Sequence, residues 1–136
     1  MSKIIGIANQ KGGVGKTTSA INLSASLATA EKRTLLIDSD AQGNATTGLG
    51  IDRIAIKGAN LYHSLIGQKR LSEVIVQTQI PYLDVVPADQ NLIGVEVEFV
   101  EMEDRERRLK LLLKEAPLPY DFIIIDTPPA LGLITL

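Results

Sequence analysis

The chain has 136 residues, enough for one ordinary core and too short to expect two. Hydrophobic residues make up 45% and charged residues 22%, no apolar run approaches the ~18 or more residues of a membrane span, and cysteine is absent. That excludes disulfides, thiolate zinc sites and iron–sulfur clusters and fits a cytoplasmic protein, while a formal net charge of −2 gives no general attraction to nucleic acid or anionic lipid.

The apolar run Ile4 to Ala8 feeds into Asn9-Gln10-Lys11-Gly12-Gly13-Val14-Gly15-Lys16-Thr17-Thr18, and a helical pattern leaves it. Strand, glycine-rich loop and helix is the order that a phosphate cradle needs. Gly12, Gly13 and Gly15 let backbone N–H groups approach an anion with no Cβ in the way. Lys16 supplies a point charge to the outer phosphates, Thr17 offers a hydroxyl to Mg²⁺, and the new helix turns its unpaired N–H groups and positive dipole end to the same anion. The loop departs from G-x-x-x-x-G-K-[ST] at its first position, where Gln10 stands, and it carries a second lysine, Lys11. An ordinary turn before a helix is the plainer alternative.

Thr18 to Ala30 has helical period, with Ile21, Ala25 and Ala28 on one face and Leu23, Leu27 and Ala30 beside them. Glu31-Lys32-Arg33 ends it. Thr34 to Ile37 is a short apolar run suited to a covered parallel strand, and it delivers Asp38-Ser39-Asp40 to the sheet's edge. Ala41 to Gly50 is rich in glycine and small polar residues and reads as a mobile loop or short helix over a ligand. Short helical patterns follow around Asn60 to Ile66 and Leu71 to Val76. His63 lies there with no second metal-type residue at useful spacing and receives no role.

Tyr82 to Val86 is a third strand, closed by Pro87. Beyond Leu92 the spacing of Val95, Phe99, Met102, Leu109, Leu113 and Ala116 is helical. The pairs Glu101–Arg105, Glu103–Arg107, Asp104–Arg108 and Glu106–Lys110 sit at i,i+4 with the acid first, each worth roughly 0.2–0.5 kcal/mol. They predict a solvated outer face, a partner-binding helix being the sharper alternative. Pro117 and Pro119 break the helix, and Tyr120 to Ile125 is the most hydrophobic strand. Asp126 at its end is placed to orient Mg²⁺ or its water shell, or else to serve a turn. Strands alternating with helices imply a parallel sheet covered on both faces, with Lys16, Asp40 and Asp126 on one rim.

Lys11-Gly12-Gly13-Val14-Gly15-Lys16-Thr17-Thr18, Asp38-Ser39-Asp40-Ala41-Gln42-Gly43-Asn44 and Ile125-Asp126-Thr127-Pro128-Pro129 together resemble the ParA/Soj chromosome- and plasmid-partitioning ATPases, part of the deviant-Walker group that includes MinD. The likeness runs from the first residue to the last. It implies an α/β P-loop NTPase fold with a mainly parallel sheet and helices on both faces, of which residues 1–136 form the N-terminal part of a single ATPase domain. It also implies that Lys11, Gly12, Gly13, Val14, Gly15, Lys16, Thr17 and Thr18 bind ATP, with Lys16 on the β- and γ-phosphates. Thr17, Asp126 and Asp40 would attend Mg²⁺, and Asp126 would couple the γ-phosphate to a switch segment. Asp40 would act on the attacking water, and Lys11 would reach across an ATP-sandwich dimer, so the catalytic set is Asp40, Lys11 and Lys16.

The partners implied are a ParB-like stimulating protein, a second copy bound in an ATP-dependent homodimer, and non-specific DNA, with no membrane. The location implied is cytoplasmic, nucleoid-associated in the ATP-bound full-length form. Family members are commonly about twice this long. The apolar run Leu131 to Leu136 carries no terminating signal, so the chain is expected to be truncated, with the adenine- and DNA-binding residues in the missing half. The alternatives are a MinD-type membrane-associated ATPase and a fragment that binds nucleotide without turnover. Relatives that use the same loop for amidation or biotin synthesis remain in view, the absence of cysteine removes the electron-transfer branch, and Asp38 to Asn44 favours the partitioning branch. The strand Ile4 to Ala8 is expected to be central, with Tyr120 to Ile125 on one side and a strand of the missing half on the other.

Overall fold

The structure is a computed structural model, and the residues it describes are 3–7, 16–40, 42–88, 102–115 and 119–126. The apolar runs become β1 (Lys3–Ile7), β2 (Thr34–Asp38), β4 (Leu83–Val86) and β5 (Phe122–Asp126), joined by a two-residue β3 (Val76–Gln77). Among the described residues the helices are α1 (Lys16–Thr29), α2 (Asn44–Gly48), α3 (Leu61–Leu65) and α4 (Met102–Glu115), with a 3₁₀ turn at Leu71–Val74.

The strands form one five-stranded sheet in the order β1, β5, β2, β4, β3. β5 is parallel to both of its neighbours, and Asp126 is level with Ile7 on one side and Asp38 on the other. β4 is parallel to β2, whereas β3 runs antiparallel to β4. The helical pattern expected from Leu71 to Val76 therefore lasts only through Val74, after which Val76 pairs with Val85. Thr78 closes that hairpin, its N–H and hydroxyl both donating to the Leu83 carbonyl.

Alternation along the strands sends side chains to two faces. Leu35, Ile37, Ile123, Ile125 and Val86 pack on Leu61 and Leu65 of α3, Leu71 and Val74 of the 3₁₀ turn, and Leu109 of α4. Leu36, Ile124, Leu83 and Val85 pack on Ala20 and Ala28 of α1 and on Ala45 and Leu49 at α2. Every residue of β2 is buried, as a strand covered on both faces requires.

α1 is rotated from the face its apolar residues suggest. Ala20, Ser24 and Ala28 are its buried residues, while Ile21, Leu23, Ala25 and Leu27 are half-buried and Ala30 is exposed. Small residues at i, i+4 and i+8 bring the helix axis close to the sheet, and the larger side chains splay along the flanks. The helix ends by reversing through Glu31, at φ 61°, with Glu31 N–H donating to Ala28 O and Lys32 N–H to Leu27 O.

α4 contributes more than a solvated face. Arg108 is half-buried, and its Nε and Nη2 donate to the Leu65 carbonyl at 3.1 and 2.8 Å, which ties α4 to the end of α3. Val95 and Phe99 lie outside the described residues. Before β5, the Tyr120 hydroxyl donates to Asp84 in β4 at 2.6 Å, and burial together with this bond raises the phenol above its ordinary value. Among the described residues β1 is one edge strand of the sheet and β3 the other, and in β1 Ile4 is 44% and Ile5 36% exposed.

Candidate functional site

Three parallel strands end side by side at Ile7, Asp126 and Asp38. Apolar runs that terminate in a carboxylate bring that carboxylate to the rim, and both Asp38 and Asp126 are fully buried there. Ser39, the next residue, donates its N–H and its hydroxyl to the Asp126 carbonyl, each at 3.0 Å, which extends the β2–β5 contact past the strand ends.

Asp38 organises the turn that follows. Its Oδ1 accepts from Asp40 N–H at 3.1 Å, and its Oδ2 accepts from Thr46 N–H at 2.9 Å and from the Thr46 hydroxyl at 2.7 Å. The Thr46 oxygen in turn accepts from Ala88 N–H at 3.0 Å, so the segments after β2 and after β4 are joined through one hydroxyl. Burial pushes the Asp38 carboxyl up to about 6; the Thr46 and Asp40 hydrogen bonds hold it down in part, and the nearby Asp126 charge adds to the rise.

Asp40 is also buried. Its Oδ1 accepts from Gln42 N–H at 3.0 Å and its carbonyl from Gly43 N–H at 2.8 Å. Gly43 has φ +65° and opens α2, so the expected short helix is present at Asn44–Gly48. α2 lies against α1 so closely that a Cβ on Gly48 would stand 2.7 Å from Ile21 Cδ1. Across the same turn, Arg53 Nη2 donates to the Gln42 carbonyl and to Thr47 Oγ1.

α1 begins at Lys16 and Thr17, and Thr18 is exposed on its first turn. Lys11, Gly12, Gly13, Val14 and Gly15 lie outside the described residues. Among the described residues no three His, Cys, Asp or Glu side chains close around a point to make a metal cage. Asp40 and Asp126, both buried at the rim, are nevertheless the type of donor that suits Mg²⁺, a hard cation that keeps several waters and takes one or two carboxylates together with substrate phosphates. His63 has a structural use, its Nδ1 accepting from Asn60 N–H at 3.3 Å while Asn60 Oδ1 accepts from Tyr62 N–H at 3.0 Å, a capping box at the start of α3.

Sequence reasoning passed over Asp38, Thr46 and Arg53. Asp38 carried a signal, since a carboxylate that ends a covered strand must find donors, and the nearby Thr46 is one of few candidates. Arg53 carried none.

The sequence pattern of the AAA domain family matches residues 2–136. The chain is 54% identical over 136 residues to the chromosome partitioning protein ParA of Myxococcus xanthus, covering 100% of this chain and 48% of that protein. Among solved structures, a cobyrinic acid a,c-diamide synthase from Mycobacterium smegmatis with bound ADP and magnesium is similar at a TM-score of 0.87 and 36% identity, over 97% of this chain and 53% of the other. A plasmid partition protein from Borrelia burgdorferi bound to AMPPNP is similar at a TM-score of 0.80 and 34% identity, over 96% of this chain and 55% of the other. The chain spans about half the length of the curated relatives it matches.

Proposed function

The chain belongs to the AAA domain family, and from that premise we propose that residues 1–136 are the N-terminal part of a single P-loop ATPase domain, in a partitioning protein that is switched by binding and hydrolysing ATP. The observation that carries this reading is the rim on which Asp126 and the Asp38-Ser39-Asp40 turn meet at the end of β1. The 54% identity to a ParA protein supports it over the amide-forming chemistry suggested by the Mycobacterium smegmatis synthase.

In this reading Lys11, Gly12, Gly13, Val14, Gly15 and Thr18 line the phosphates, and Lys16 holds the outer ones. Thr17, Asp126 and Asp40 face Mg²⁺, which when bound neutralises charge on the β- and γ-phosphate oxygens. Asp40, held through Oδ1, orients the water that attacks the γ-phosphorus. The bond to the bridging oxygen breaks, and ADP and phosphate leave. Lys11 reaches the phosphates of a second copy, which links turnover to dimerisation. The ATP-bound dimer binds DNA non-specifically through residues beyond this chain, and a ParB-like partner stimulates hydrolysis. A MinD-type attachment to membrane is the competing outcome, separated by whether vesicles or DNA retain the ATP-bound protein.

Substitution in the full-length protein tests the reading. Lys16→Ala removes a charge-assisted contact worth roughly 1.5–3 kcal/mol of nucleotide binding. Asp40→Ala keeps ATP binding and loses turnover, whereas Lys11→Ala keeps monomer binding and loses the dimer-dependent steps. ATP bound by Lys16→Ala as tightly as by the wild type would mean that the loop is not a phosphate site.

A further inference from the structure

Arg53 is an exposed residue in the turns between α2 and α3, yet its guanidinium grips the loop that follows Asp40 at two points. Nη2 donates to the Gln42 carbonyl and, at 3.0 Å, to Thr47 Oγ1, and Nε donates to the same hydroxyl at 3.2 Å. Gln42 faces both ways. Its carbonyl is held by Arg53, and its N–H is the donor to Asp40 Oδ1 at 3.0 Å. Gly43 completes the turn with its N–H on the Asp40 carbonyl, and a Cβ there would stand 2.8 Å from Arg53 Nη2 and 3.2 Å from the Ala88 carbonyl. The guanidinium thus lies against bare backbone, in space that any other residue at this position would fill.

We propose that Arg53 is a positioning residue for Asp40, acting through Gln42; the inference rests on the catalytic reading of Asp40 given above. An exposed arginine adds little to global stability. Its consequence here is local, because one planar fork serves a carbonyl and a hydroxyl in adjacent directions and so fixes the Gln42–Gly43 peptide, whose Gly43 N–H donates to the Asp40 carbonyl and which adjoins the Gln42 N–H on Asp40 Oδ1. Lys16 and the glycine-rich segment carry the phosphates while Asp40 acts on water and on one side of Mg²⁺, so loosening that turn lowers the rate of the chemical step far more than it weakens nucleotide binding.

The test uses the full-length protein and three substitutions, Arg53→Ala, Arg53→Lys and Asp40→Ala, with Arg53→Ala also combined with Asp40→Ala. Arg53→Ala is expected to reduce kcat by roughly tenfold to a hundredfold while ATP affinity stays within about twofold. Arg53→Lys, which keeps the charge and loses the fork, falls between the two. In the Asp40→Ala background Arg53→Ala should cost nothing further, since the group it positions is gone. Amide hydrogen exchange at Gln42 and Gly43 should accelerate in Arg53→Ala with the melting temperature unchanged. Wild-type turnover in Arg53→Ala beside a collapsed Asp40→Ala would overturn the inference, as would losses that multiply in the double variant. If exchange at Gln42 accelerates but Asp40→Ala hydrolyses ATP like the wild type, the bracket stands as structure and the catalytic reading of Asp40 fails, taking the positioning role with it.

Discussion

Thr46 gives both of its donors, a backbone N–H at 2.9 Å and a hydroxyl at 2.7 Å, to one carboxylate oxygen of Asp38, eight residues earlier. The same hydroxyl oxygen accepts from Ala88 N–H, so a single side chain joins the ends of β2 and β4 inside a region where Thr46, Asp38 and Ala88 are all fully buried. Thr46→Val keeps the shape and removes the hydroxyl. It leaves the Ala88 N–H without its acceptor and takes one donor from Asp38, a loss of roughly 2–4 kcal/mol for two affected buried groups. Urea unfolding measures it directly. A loss below about 0.5 kcal/mol, the level of an unremarkable surface change, would mean that the hydroxyl does not bridge the two strand ends.

The same carboxylate sets a pH dependence. Asp38 is pushed up from 3.8 to about 6, chiefly by burial. Between those values the unfolded chain has released a proton that the folded protein still holds, so stability falls as pH rises through this window. Below it both states are protonated and nothing is lost, and above it both are ionised and the cost levels off at about 3 kcal/mol. Unfolding free energies of the wild type and Asp38→Asn, measured from below pH 3.8 to above pH 6, should show the wild-type value dropping by about that amount relative to the variant. A difference that is flat, or that rises with pH, would refute the raised value.

What the sequence disclosed and what it hid differ in kind. Strands at Thr34–Asp38 and Phe122–Asp126 were legible because an unbroken apolar run ending in aspartate has few other uses, and α3 was legible from its period. The hidden parts depend on residues far apart in the chain. Nothing local says that β5 separates β1 from β2, that Tyr120 reaches Asp84, or that Arg108 docks on Leu65. β3 has only two residues, too few to display a period, and so its start reads as the end of a helix. At the rim the carboxylates could be found as motif residues, but the bracket of Gln42, Thr47 and Arg53 is made of backbone and hydroxyl contacts that no spacing announces.

Glu31 offers a gain in stability. It sits at φ 61° where α1 reverses, a left-handed conformation that costs a side-chain-bearing residue roughly 1–2 kcal/mol. Glu31→Gly removes the Cβ conflict and gives back part of the benefit through the greater freedom of glycine in the unfolded chain, for a net stabilisation of about 0.5–1 kcal/mol. Glu31→Ala keeps the Cβ and should gain nothing. Equal stability of the glycine and alanine variants would show that the turn is not strained by its side chain.

The edge of the sheet decides how the 136-residue chain behaves alone. Among the described residues β1 pairs only with β5, and its Ile4 and Ile5, which point to opposite faces, are 44% and 36% exposed. An apolar strand at the edge of a sheet, with both faces partly uncovered, is a place where another chain can add. The chain spans about half the length of its curated relatives, and we expect the remainder to lay a strand against β1 and cover these side chains. Each large apolar side chain left in water forfeits roughly 1.5–3 kcal/mol, against a whole-domain stability of only about 5–15 kcal/mol. Residues 1–136 alone should therefore self-associate at micromolar concentration, bind ATP more weakly than the full-length protein and show no appreciable hydrolysis. Ile5→Lys, which places a charge on the open edge, should reduce light scattering without restoring hydrolysis. A monodisperse, monomeric 136-residue chain with one cooperative unfolding transition and full-length-like ATP affinity would show that β1 needs no further strand.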